Sequence, residues 1–170
     1  VTLPLPSSRQ VADLLADLQV ERGKLQLLLE TLGRLQRDWD QPEGAQDRCD
    51  AAALRLQSFY TGIERCFVQI VRVLNGGPPD GADWHRRLLE RMGVGTESRP
   101  AVLDAPTVKG LGELLRFRHV VRHLYAYELE NEQVHRLLLR SLELWPGLER
   151  QLEQFEAWLR ELAACDHPGA

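Results

Sequence analysis

The sequence predicts an all-α fold. Apolar residues recur at three- and four-residue spacing along most of its length, capping and breaking residues punctuate those runs, and no alternating strand pattern competes. Long runs joined by short connections predict an antiparallel bundle of four to five helices, one domain covering residues 1–170. A chain of 170 residues can bury such a core without disulfides or a structural metal.

Ser7 and Gln10 have the spacing of a capping box, and Val11, Leu14, Leu18, Leu25, Leu28, Leu32 and Leu35 follow at heptad-like intervals. These predict a long first helix over about residues 8–39, broken by the run DQPEG with Pro42 and Gly44. A second helix carries Leu56, Phe59, Ile63, Phe67, Ile70 and Leu74 on one stripe and closes at Asn75, Gly76 and Gly77. A shorter third helix starts near Asp83 and runs through WHRRLLERM to Gly93.

Residues 94–106 read as a loop that ends in an N-cap at Asp104, with Pro106 in the first turn of the fourth helix. Asn131 is the expected cap of the fifth. Leu138, Trp145, Leu148, Leu152, Phe155, Leu159 and Leu162 keep one phase across Pro146, which predicts a kinked helix over two separate ones.

Composition narrows the function classes. A formal net charge of -4 argues against a protein that coats nucleic acid through bulk charge, so any such contact must be local. Cys49, Cys66 and Cys165 are odd in number and widely spaced, which suggests reduced thiols and neither a disulfide framework nor a metal site. No apolar run has the length to cross a bilayer, and VTLPLPSSRQ lacks the pattern of a signal peptide, so a cytoplasmic protein with no membrane contact and no cofactor is expected.

The unusual segment is RFRHVVRHLYAYE, Arg116 to Glu128, in the fourth helix. On a regular helix Leu114, Phe117, Val121 and Leu124 share a core face, which leaves the charged residues to the surface. Arg118 and His123 then lie roughly 140° apart around the axis, too far to grip one small group. Either the helix unwinds before His123, or a second copy of the chain supplies the missing partner across a two-fold axis.

The residue types suit metal-free RNA cleavage. Attack by a 2′-hydroxyl needs a base for its proton, an acid for the leaving 5′-oxygen and positive charge at the crowded phosphorus. Histidine, with an unperturbed pKa of about 6.5, fills the first two roles. The arginine fork fills the third.

The run Arg118 to Tyr125, RHVVRHLY, resembles the R-x4-6-H motif of the HEPN superfamily, in its R-x4-H-x-Y form from HepT-like toxins. Arg118 and His123 match the two catalytic positions, His119 the polar residue after the arginine, and Tyr125 the terminal tyrosine. SFYTGIERCF, DWHRRLLERM and RPAVL also resemble that family, and the likeness covers about residues 54–160.

The resemblance implies an all-α homodimer whose motifs meet in a cleft at the dimer interface. It implies a metal-independent endoribonuclease, the toxin of a type VII-like pair with an MNT-type nucleotidyltransferase antitoxin, silenced by AMP transfer to Tyr125. Arg122 is expected to support the site and Arg116 to contact RNA.

Trp84 and His85 open a helix where an indole usually seals a bundle end, with a place beside the cleft as the competing expectation; Arg99 shares that standing. Tyr127 reads as a packing residue, and His135 and His167 receive no role. The competing function is a non-catalytic HEPN-like subunit that docks on a nucleotidyltransferase and helps to bind nucleotide or substrate. A structural adaptor explains the heptads but leaves the density of arginine and histidine unexplained.

Overall fold

The computed structural model describes residues 6–123 and 129–165. They form five helices: α1 (Ser8–Arg37), α2 (Ala45–Leu74), α3 (Trp84–Met92), α4 (Ala105–Val121) and α5 (Asn131–Cys165). Among the described residues the only extended pairing is an isolated bridge between Thr96 and Arg99. No helix among them is long and apolar enough to cross a membrane.

The capping box of α1 is present: the Ser7 hydroxyl accepts from the Gln10 amide and the Gln10 side chain accepts from the Ser7 amide. The helix stops at Arg37, two residues before the expected end, and the chain turns through Gly44, whose φ of 69° lies in the left-handed region. Arg48 ties this turn together by donating to the carbonyls of Trp39, Gln41 and Glu43.

Helix α1 lies along α5 and α2, and α2 also meets α4 and α5. Arg22 reaches Glu156, while Gln36 and Trp39 near the other end of α1 reach His135, so α1 and α5 run antiparallel. His135 therefore has a packing role: it stacks on Trp39 with centroids 4.6 Å apart, and its Nε2 sits 2.8 Å from the Gln36 Oε1. The expected stripes line the interior, with Leu25, Leu32, Leu56, Phe59, Ile63, Phe67, Leu148 and Leu159 all buried.

Helix α5 includes Asn131 as its first residue, one position past the cap expected for it, and continues through Pro146 to Cys165. Buried Trp145 and Leu148 flank the proline, so packing on both sides holds the phase. Asp104 caps α4, its carboxylate accepting from the Thr107 amide at 2.8 Å. Helix α4 ends at Val121, short of His123. Its last turn tightens, with the His123 amide donating to the Val120 carbonyl at 3.1 Å.

Arg99 is a buried structural residue. Its guanidinium donates to Asn75 Oδ1 at 2.7 Å and to the carbonyls of Arg91, Val94 and Pro100, which fixes the loop between α3 and α4. Cys49 and Cys66 are buried thiols and Cys165 is exposed; burial pushes the Cys66 thiol up to about 12.

Candidate active site

Glu64 is the starting point, and reading the sequence for basic and nucleophilic residues passes over it. It lies on the buried stripe of α2 between Tyr60, Phe67 and Val71, where an apolar side chain would be expected, and is only 6 % exposed. A carboxylate so placed needs partners, because an unpaired buried charge costs several kcal/mol. Each oxygen has one. Oε2 lies 2.6 Å from the Nδ1 of His85 at the start of α3, and Oε1 accepts from Nη1 of Arg118 in the last turn of α4 at 3.2 Å.

Arg118 is thus turned inward, against the expectation that the charged residues of α4 stay on the surface. Its side chain is 12 % exposed. Its Nη1 also approaches His85 Nδ1 to 3.5 Å, but that nitrogen is engaged with Glu64, and the contact is one of proximity. The buried Nε has no partner among the described residues.

His85, not Trp84 alone, is what the start of α3 contributes. The Trp84 indole stacks on the imidazole with centroids 3.8 Å apart and planes at 28°. The His119 ring meets it edge-on at 5.7 Å and 77°. His119 as a residue is exposed, but this packing partly desolvates its ring, and electrostatic coupling to His85 with the nearby charges of Arg118 and Arg122 disfavours its protonation. Together these hold it below the ordinary histidine range, with Glu64 opposing. The Tyr60 hydroxyl is buried beside the cluster without a hydrogen-bond partner among the described residues, and burial, then Glu64, raises its pKa.

The other members of the motif fall elsewhere. Arg122 caps the end of α4 and His123 follows it; both are exposed, and no hydrogen bond or ring contact joins His123 to Arg118. The helix ends at Val121, before His123, but that ending does not bring the two side chains into contact. Arg116 is about 200° around the helix from Arg118. It lines a groove of about 370 Å³ with Glu113, Val120, Gln133 and Arg136, between α4 and α5. Leu124, Tyr125, Tyr127 and His167 lie outside the described residues.

A second groove, of about 350 Å³, borders the cluster on the α2 side and is lined by Glu64, Arg65, Gln69, Arg72 and Trp84 among others. Arg65 and Arg72 are exposed. Among the described residues, no group of three or more histidine, cysteine, aspartate or glutamate side chains converges as a metal site would.

Comparison with known proteins returns one family: the model described as HepT-like protein matches residues 51–159, from early α2 into the last turns of α5. No curated protein matches, and no solved structure does.

Proposed function

The chain belongs to the HepT-like protein family, and from that premise we propose that it is a toxin ribonuclease, metal-independent and paired with an MNT-type nucleotidyltransferase antitoxin. The observation that carries the reading is Arg118, held on a buried carboxylate beside two imidazoles, within the segment that the family match spans. The Glu64 contact uses Nη1 and the Nε is buried, so Nη2 is the nitrogen of the guanidinium left to meet a phosphate oxygen. There it would stabilise the crowded, negatively charged phosphorus centre while His123 transfers protons.

His123 lies just past the end of α4 and is exposed, a position from which it can face a second copy of the chain. In this reading the working site forms in a two-fold homodimer, with Arg122 and Arg116 attracting the RNA backbone. AMP transferred to Tyr125 would place a bulky anion two residues from His123 and repel RNA phosphate.

The test is cleavage of RNA in EDTA by protein free of the antitoxin and of AMP. His123→Ala and Arg118→Ala are each expected to lower the rate by about 10²–10⁴-fold. Equal rates in the wild type and both variants would remove these residues from the mechanism.

One observation favours a second reading. Arg118 already has a buried counter-ion, as an arginine with a purely structural duty would. On that reading the chain is a non-catalytic subunit that docks on the nucleotidyltransferase and helps it to hold nucleotide. Protein that binds the transferase tightly yet leaves RNA intact when AMP-free would decide for it.

A further inference from the structure

We propose that His85, held by Glu64, is a second proton-transfer residue of this site and acts as the general base for the 2′-hydroxyl. The inference rests on the ribonuclease reading and adds what that reading lacks. Two protons must move during cleavage, and His123 in one copy of the site accounts for one of them.

The geometry is that of a carboxylate–imidazole pair. The 2.6 Å contact between Glu64 Oε2 and His85 Nδ1 places the ring proton on Nδ1, because an ionised carboxylate can only accept. Nε2, across the ring, is then left with its lone pair. Trp84 against one face and His119 at the edge limit rotation of the ring, so the tautomer and its direction are both fixed. Glu64 is a positioning residue twice over: one oxygen holds this base and the other holds the arginine that would receive the phosphate. Its own near-complete burial keeps water from competing for either contact.

In the step so assigned, His85 Nε2 takes the 2′-hydroxyl proton as the 2′-oxygen bonds to phosphorus. The bond from phosphorus to the 5′-oxygen breaks, and protonated His123 supplies that oxygen with a proton. The products are a 2′,3′-cyclic phosphate and a free 5′-hydroxyl, with His85 protonated and His123 neutral until solvent restores both. No oxidant, reductant or further reactant is required.

The charged and titratable groups around His85 are Glu64 on α2 and Arg118 and His119 on α4, with Arg65 and Arg72 of α2 across the adjoining groove. On α3 itself Arg86 is occupied by Asp83 and Glu90.

The experiment compares the full chain, free of AMP, with His85→Gln and Glu64→Gln in single-turnover cleavage of a defined RNA oligonucleotide from pH 5 to 9. His85→Gln is expected to lower the maximal rate about 100-fold or more and to abolish the fall in rate toward low pH. Glu64→Gln is expected to keep that acidic limb and shift it to lower pH, since the imidazole loses its anionic partner. A merely structural pair would lower the rate without moving either limb.

Cleavage by the wild type with an unchanged rate and acidic limb in His85→Gln would overturn this inference alone. No cleavage by the wild type would overturn the ribonuclease reading and this inference with it. A measurement on the wild type guards against misfolded variants: nitrogen-15 NMR of the neutral His85 ring should show the proton on Nδ1, and a proton on Nε2 would refute the assignment.

Discussion

His119 shows what the cluster does to a single group. Partial burial of its ring, with His85, Arg118 and Arg122 nearby, favours the neutral imidazole, and Glu64 only partly offsets them. With the folded pKa below the unfolded value of about 6.5, the unfolded chain binds the proton more readily, so this contribution to stability is present above about pH 6.5 and is lost as pH falls from there through the lower folded pKa. The expected outcome is a His119 titration midpoint below about 6.5 by proton NMR, moving upward in Arg118→Ala as one cation is removed. A midpoint that ignores Arg118 would show that the two do not interact. At this scale the motif residues were legible because their types and spacing are distinctive. Glu64 was half legible: a carboxylate in phase with Tyr60, Phe67 and Val71 is visible in the sequence as a break in the stripe. Its partners were not, because nothing local joins it to an arginine 54 residues away.

Helix ends decide where these side chains stand. Asp104 starts α4 and thereby sets the turn on which Arg118 falls, so Asp104→Ala should cost about 1 kcal/mol in chemical denaturation, the usual loss for an N-cap. Gly62 makes a tighter claim on α2. A Cβ there would come within 2.8 Å of the Leu25 Cδ2, and Leu25, only 1 % exposed, has little room to retreat. Gly62→Ala gains up to about 1 kcal/mol of helix propensity but incurs overpacking of about 1–3 kcal/mol, and a lower melting temperature is expected. A rise would mean that α1 and α2 separate easily. Caps and breakers were readable because they act through bonds three or four residues long. The end of α4 was not, since the apolar phase runs on to Leu124. The helix ends at Val121 despite it, and an i→i+3 bond from the His123 amide to the Val120 carbonyl closes its last turn.

Across the whole molecule, α1 lies outside the matched segment yet is joined to it by charge as well as by leucines. Arg22 donates through Nε to Glu156 Oε1 at 2.8 Å and through Nη2 to Oε2 at 3.2 Å, and Glu153 and Glu149 stand near the same guanidinium. These carboxylates, the Glu156 hydrogen bond foremost, raise the Arg22 pKa against the opposing effect of burial. Glu156 is 1 % exposed, so the pair is asymmetric: the arginine can reach water and the carboxylate cannot. Arg22→Ala should therefore cost roughly 3 kcal/mol, below the upper end for a fully buried pair because Arg160 lies 3.7 Å from the same carboxylate. For a chain of this size that corresponds to a fall in melting temperature of about 6–12 °C. Replacing both residues with leucine removes the stranded charge as well as the bond, and most of the stability should return. Thermal denaturation of the single and double variants separates the two cases. A double variant no better than Arg22→Ala would mean that α1 is held by the bridge itself, and that the leucine stripe of α1 contributes less to its docking than its burial implies.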